Sequence, residues 1–353
     1  MPSLFDPLVL GALTLPNRIL MAPLTRARAG RSHIANALMA EHYAQRASAG
    51  LLIAEATMVA ADGCAFTGEP GIHDDACVAG WRLVTDAVHA AGGRIQLQIW
   101  HPGRSAHSSL NGGVQPVSSG ERAIQGLINT PSGKQPYEVP RRLRDDELPG
   151  IVAGFRKAAE NALAAGFDGI EVHGANGYLL DEFLRDGSNT RSGPYGGPIE
   201  NRARLMLEVL DACVGVWGEG RVGLRLSPLN SYNDMLDSDP VGLITWMARR
   251  LNDYPLAYLH VMRGDFFGQQ KGDVLTPARA HYKGVLIGNM GYTPQEAASA
   301  IESGQLDAVA FGTSFLANPD LPARLKAGAA LNAPDPSTFY TPGAKGYTDY
   351  PTL

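Results

Sequence analysis

Short, nearly unbroken apolar runs recur along the chain. They fall at Ile19–Ala22, Leu51–Thr57, Arg94–Trp100, Gly169–His173, Val222–Ser227, Tyr258–Met262, Val285–Asn289 and Ala308–Gly312. A strand with one wet face alternates apolar and polar residues; near-continuous runs fit strands buried on both faces. Segments of helical period lie between them. Asp74–Ala91 stops at Gly92-Gly93, and Asp145–Ala165 opens on acidic residues and ends at Gly166, a usual C-cap choice. Asn201–Val216, Pro240–Asn252 and Thr293–Ser303 follow the same plan, and Thr293-Pro294-Gln295-Glu296 reads as a capped start with Pro at the first position. Buried strands alternating with helices predict a single α/β domain over residues 1–353, a (β/α)8 TIM barrel whose closure removes the sheet edges. The competing architecture is an open doubly wound sheet, which the lack of a G-x-G-x-x-G after the first run disfavours. Leu4–Leu15 predicts an N-terminal β-hairpin closing the barrel floor. Residues 103–144, rich in Gly, Ser, Pro and Asn, predict a long insertion after strand 3 that forms a lid at the C-terminal mouth.

Composition narrows the partners. Lys and Arg number 30 against 35 Asp and Glu, a formal net charge of −5. Phosphate contacts need surplus cations, so no nucleic-acid partner is expected. No apolar run reaches the ~18 residues of a membrane span, so no membrane partner is expected either. The N-terminal stretch lacks a basic segment and an apolar core, which points to a cytoplasmic protein. Cys64, Cys77 and Cys213 form no C-x-x-C pair, which argues against a disulfide framework, a zinc site or an iron–sulfur cluster.

In a barrel, chemistry sits at the C-terminal strand ends. Collected there are Ala22-Pro23-Leu24-Thr25, Gln98 and Trp100, His173 with Asn176 and Tyr178, Arg225, Gly288-Asn289, and Gly312-Thr313. There is no H-E-x-x-H, no G-x-S-x-G and no Lys within a strand, and carboxylates are few (Glu55, Glu171). The set is one of neutral donors, a phenol, an indole and one cation. It supplies no electrons of its own, but suits holding a flat, hydrogen-bonding cofactor and polarising a carbonyl.

These stretches resemble the old yellow enzyme family of FMN-dependent ene-reductases from end to end. The resemblance is carried by FDPLVLGALTLPNRILMAPLTRAR, QLQIWHPGR, EVHGANGYLLDEFLRDGSNTRSGPYGGPIENRARL, GLRLSP, IGNMGYTPQEA, FLANPDL and GYTDYP. It implies FMN at the barrel mouth, reduced by NADPH or NADH, and hydride transfer to the β-carbon of an activated alkene. Enones, enals, maleimides and nitroalkenes are the implied small-molecule substrates. By the same resemblance His173 and Asn176 bind the substrate oxygen and Tyr178 protonates the α-carbon. Thr25 donates to the flavin edge and places the chain in the branch with Thr rather than Cys there. Ala22, Pro23, Leu24, Ala56, Gln98 and Arg225 contact the cofactor, and Gly288, Asn289, Gly312 and Thr313 hold its phosphate. Phe66, Trp100 and Tyr340 shape the substrate pocket.

Plainer readings stand beside these. His173 and Asn176 satisfy loop carbonyls, Tyr178 and the other aromatics pack, Thr25 caps a loop, and Arg225 pairs with Glu55 or Glu171. His107, Arg122, Arg141 and Arg142 read as surface or lid groups. Thr313 departs from the family's usual Arg, which weakens the expected grip on phosphate. Met262-Arg263-Gly264-Asp265 departs from the family's frequent Glu and carries no functional reading. The alternative function is a flavin-free barrel isomerase or lyase with Tyr178 and His173 as acid and base. A flavin-binding protein without turnover is a third. The assembly expected is a monomer or homodimer.

Overall fold

A computed structural model of the chain describes residues 1–353. Eight parallel strands close into a barrel. In chain order they are Ile19–Met21, Leu52–Met58, Ile95–Trp100, Gly169–Gly174, Val222–Leu226, Tyr258–Met262, Leu286–Asn289 and Ala308–Phe311. Each pairs with its sequence neighbour, and the eighth closes on the first through Ala310 opposite Leu20. This is the (β/α)8 barrel expected from the apolar runs, with strand ends moved by a residue or so.

Period two sorts each strand into an inner and an outer side. Ile95, Leu97 and Ile99, with Ile170 and Val172, face outward into the layer packed by helices. Leu20, Ile53, Tyr258 and Ile287 fill the lower barrel interior. The hairpin Leu8–Leu10/Leu13–Leu15 closes that end, and the Ala12 N–H donates to the Gly220 carbonyl at 3.0 Å just before the fifth strand. Higher up, the inward positions are polar: Gln96, Gln98, Glu171, His173, Arg225, His260 and Asn289, all buried.

The long expected helices appear as Asp75–Ala90, Leu148–Ala164, Arg204–Trp217, Pro240–Arg250 and Pro294–Glu302. Asn201–Val216 is divided: a short helix, Ile199–Arg202, precedes the long one, with Ala203 between them. Apolar periodicity did not reveal the short helices Ala37–Ala44, Leu179–Leu184, Leu275–His281, Thr313–Ala317 and Leu321–Ala327, because one or two turns offer too few repeats. No helix is long and apolar enough to cross a membrane. The insertion folds into a hairpin, Leu127–Thr130 with Gly133–Pro136, and a parallel pair, Val117–Ser118 with Arg141–Arg142.

One irregularity positions the site. Between Ala54 and Thr57 the second strand advances three residues while the third advances two, from Leu97 to Ile99. This bulge reverses the facing. Ala54 packs outward, whereas Ala56 packs beside Trp100 and Tyr178 at the mouth.

Candidate active site

The strand ends and their loops enclose a cavity of about 200 Å³. Its wall includes Pro23, Leu24 and Thr25 after the first strand, Ala56 from the second, Gln98 from the third and Arg225 from the fifth. His173 ends the fourth strand, and Asn176 and Tyr178 follow in the turn that starts helix Leu179–Leu184. Phe66, Tyr232, Phe266 and Tyr340 complete the rim. A second cavity of about 390 Å³ shares Phe66, Tyr232 and Tyr340 with it and lies under the insertion hairpin at Leu127, Ile128 and Asn129.

The donors' polarity is set by the main chain. His173 Nδ1 accepts from the Ala175 N–H at 3.2 Å. A backbone N–H only donates, so the ring proton sits on Nε2. Burial, with Arg225 and His260 nearby, holds His173 well below its ordinary pKa, so the ring is neutral. Asn176 occupies the left-handed region at φ 59°. Its N–H donates to Ser227 Oγ at 2.8 Å, and its Oδ1 accepts from Asn230 Nδ2 at 2.9 Å. That leaves Asn176 Nδ2 as the amide's free end. Tyr178 is 7% exposed and packs edge-on to Trp100 at 4.3 Å and to His173 at 4.9 Å. Burial pushes its phenol well above the ordinary range, so it keeps its proton.

Beneath these groups lies a buried polar layer. Gln98 Nε2 donates to Glu171 Oε1 at 2.7 Å, and His260 Nδ1 meets Glu171 Oε2 at 2.8 Å. Burial raises the Glu171 pKa, but His260, Arg225 and the hydrogen bonds more than offset it, and the carboxylate is ionised. Burial lowers His260 despite that neighbour, so it stays neutral and donates through Nδ1. Arg225 donates from Nη2 to Asn289 Oδ1 at 2.8 Å, while its Nε is buried with no partner in the chain. The ion pair with Glu55 or Glu171 does not form. Glu171 is engaged as described, and Glu55 accepts from the Arg26 N–H and the Tyr43 hydroxyl. A cation with a free buried donor, beside an amide and a hydroxyl at one mouth, fits the pyrimidine edge of a flat heterocycle that gains electrons.

The cavity thus gathers Thr25, Pro23, Leu24, Ala56, Phe66, Gln98, His173, Asn176, Tyr178, Arg225 and Tyr340. It does not gather the rest. Trp100 is fully buried and stands behind Tyr178 and Phe66, supporting the wall without lining it. Ala22 packs with the lower interior cluster. Asn289 spends its amide on Arg225 and on the Ala310 carbonyl at 2.7 Å, inside the barrel. Gly288 lies against Leu306, where a Cβ would meet Leu306 Cδ1 at 2.3 Å. Gly312 and Thr313 open the helix Thr313–Ala317, with Thr313 exposed.

Two wall residues, Tyr232 and Phe266, escaped the sequence reading. Both lie in loops, where no periodicity marks them; their signal is only position, soon after the fifth and sixth strands. The Arg263-Gly264-Asp265 departure now has a structural account. Asp265 accepts from the Ser231 N–H at 2.8 Å and hydroxyl at 2.7 Å, and from the N–H groups of Phe267, Gln269 and Gln270 at 3.1, 2.7 and 3.0 Å. It ties the two loops together. Those bonds hold its carboxyl down to about 2, although burial alone would raise it.

Known proteins match this architecture along its whole length. The sequence pattern of the NADH:flavin oxidoreductase / NADH oxidase family fits residues 3–332. A probable flavin mononucleotide-dependent alkene reductase of Leishmania infantum is 51% identical over 356 residues, covering 99% of this chain and 97% of that protein. The solved old yellow enzyme homologue from Zymomonas mobilis superposes with a TM-score of 0.97 at 45% identity, covering 100% of both chains. Morphinone reductase in complex with tetrahydroNAD superposes with a TM-score of 0.95, also at 45% identity, covering 100% of this chain and 98% of that one. The flavin-free isomerase or lyase reading is not favoured by these matches. The chain belongs to the NADH:flavin oxidoreductase / NADH oxidase family, the old yellow enzyme family of FMN-dependent oxidoreductases.

Proposed function

We propose that residues 1–353 form one FMN-binding barrel domain that reduces activated C=C bonds of α,β-unsaturated carbonyls, maleimides or nitroalkenes. The observation that carries this is the pair of neutral donors, His173 Nε2–H and the free Asn176 amide, beside a phenol that keeps its proton. The name of the Leishmania relative supports the alkene, and the tetrahydroNAD held by morphinone reductase supports NADH or NADPH as reductant.

Bound FMN supplies the hydride and is renewed by the nicotinamide. The chain's own groups do the rest. His173 and Asn176 hold the substrate's carbonyl or nitro oxygen and stabilise the negative charge that develops there; one such donor is worth roughly 3 kcal/mol where oxyanion donors have been removed. Tyr178 delivers its proton to the α-carbon. Arg225, whose buried Nε has no partner in the chain, would hold the flavin ring together with Gln98 and Thr25 and would offset the negative charge it gains on reduction. Pro23, Leu24 and Ala56 line the cavity and would form the wall against the ring, with Ala22 and Asn289 behind. Gly288, Gly312 and Thr313 would hold the phosphate at the loops after the seventh and eighth strands. Phe66 and Tyr340, stacked at 6.3 Å with planes 8° apart, flank flat substrates, with Trp100 behind them. The finer placement is a cytoplasmic monomer or homodimer, and the net charge of −5 supports the lack of a nucleic-acid partner.

The deciding experiment is an absorption spectrum of the purified protein loaded with FMN and desalted. A flavin band that NADH or NADPH bleaches and cyclohexenone restores is the expected outcome. A protein that takes up no FMN, or a bleached band that cyclohexenone does not restore, overturns the proposal.

A further inference from the structure

An amide side chain has an accepting end and a donating end, and catalysis needs the donating one at the substrate oxygen. Nothing in Asn176 itself decides which end it presents. The decision is made one residue away. Asn230 is fully buried and does not line the cavity. Its Oδ1 accepts from the Phe266 N–H at 3.2 Å, and the Tyr232 N–H stands 3.5 Å from the same oxygen. Main-chain N–H groups only donate, so this end of the Asn230 amide must be oxygen. The other end is then Nδ2, which donates to Asn176 Oδ1 at 2.9 Å. Asn176 is held from two further sides, by Ser227 Oγ on its N–H and by Asn233 Nδ2 on its carbonyl at 2.9 Å. These bonds fix the Asn176 main chain, so the end of the amide it presents is set by its side-chain torsions alone.

We propose that Asn230 is a positioning residue for the reduction: it fixes the Asn176 amide so that the substrate oxygen meets Nδ2 and never Oδ1. This deepens the reading of Asn176 as an oxygen-binding donor and rests on it. The relay starts at the Phe266 N–H, and Asp265 pins the loop that carries it.

The test exchanges Asn230 for two residues that perturb the relay differently. Asn230→Asp keeps the shape and still accepts from Phe266, but presents an oxygen where Nδ2 stood. Arg185, which donates to the Asn230 carbonyl at 2.9 Å, favours the ionised form of that Asp. Asn176 must then turn its own Nδ2 to the Asp and its oxygen into the cavity. Asn230→Ala removes the instruction without reversing it, and Asn176 can still choose the end the ligand needs. Para-nitrophenol bound to the FMN-loaded protein reports the polarity directly, because its phenolate needs donors and its neutral form tolerates an acceptor.

The expected result is that Asn230→Asp binds the phenolate about tenfold more weakly and raises the bound phenol's pKa by about one unit. Its kcat/KM for cyclohexenone falls by at least about tenfold, and Asn230→Ala lies between it and the parent on all three readings. A merely structural role predicts the reverse order, since Ala leaves a hole and Asp does not. An Ala variant as impaired as Asp, or an Asp variant like the parent, overturns the proposal. A parent protein that neither binds para-nitrophenol nor reduces cyclohexenone instead overturns the underlying reading of the site.

Discussion

Tyr178 is held by packing alone: an indole edge-on at 4.3 Å, an imidazole at 4.9 Å, and no hydrogen bond on its hydroxyl. That environment costs the phenolate its solvation and keeps the phenol protonated. The group is built to give a proton late in the reaction and to take no part in the reduction of the cofactor. Tyr178→Phe should therefore be reduced by NADH or NADPH at the parent rate, while enone turnover slows by about a hundredfold or more. Stopped-flow traces of the two halves separate them, and an unslowed oxidative half removes Tyr178 from the acid role. At this scale the sequence was most readable inside strands, where a polar residue in an apolar run has only the barrel interior to face. Gln98 and Arg225 stand out that way, and both line the cavity. It was least readable in loops, which is why Asn230, Tyr232 and Phe266 needed the structure. Trp100 shares the inward side of its strand with Gln98 yet does not line the cavity, because period two gives direction and says nothing of what stands in front.

Among the elements, the C-terminal segment shows how a wall is placed without secondary structure. Arg28 donates to the Phe339 and Thr338 carbonyls at 2.7 and 2.8 Å, and Arg26 to the Phe339 and Gly346 carbonyls at 3.1 and 2.7 Å. Tyr347 lies fully buried, stacked on His42 at 3.8 Å, with both guanidinium groups over its ring. This clamp sets Tyr340 across the mouth. Arg28→Ala removes one donor each from the Phe339 and Thr338 carbonyls, leaving the weaker bonds from Arg26 and Thr341, a loss of about 1–3 kcal/mol. Trypsin should then cut faster after the exposed Lys345, and the KM for enones should rise; an unchanged digestion rate contradicts the clamp. The short helix Thr313–Ala317 presents a second case. Thr313 has neither the charge nor the fork of an arginine. Thr313→Arg is expected to slow FMN loss on dialysis by about tenfold, read from residual flavin absorbance; equal retention in both proteins refutes it. The eight strands were visible as apolar runs, and the long helices as periodic segments with caps. The bulge at Glu55–Ala56 was not, since an inserted residue leaves an apolar run apolar.

Over the whole molecule, burial raises several carboxyls. Burial raises Glu69 to about 8, only partly opposed by the N–H groups of Ala65 and Phe66, and its Oε2 has no partner. Glu182, which anchors the start of the insertion through the Arg104 N–H and the Ser118 hydroxyl, rises to about 7 for the same reason. A carboxyl raised on folding favours the native state fully below its unfolded pKa of about 4.3. That contribution disappears as pH climbs through the folded values, so stability should decline from pH 5 to beyond pH 8. Glu69→Gln has no proton to lose. Its melting temperature should stay flatter over this window and exceed the parent's at the alkaline end, by an amount equivalent to roughly 2–4 kcal/mol. Parallel thermal melts across that range decide it, and identical slopes exclude Glu69 as the source.

Both adjustable walls of the mouth are fastened by their main chains. Asp265 grips N–H groups on one side, and Arg26 and Arg28 grip carbonyls on the other. The side chains that line the cavity mouth there, Tyr232, Phe266 and Tyr340, take no part in that fastening. Heritable change at these three positions is thereby uncoupled from foldedness. A lineage carrying this scaffold can drift from one alkene to another by single substitutions, and a combinatorial library at the same positions should return mostly soluble, flavin-loaded protein.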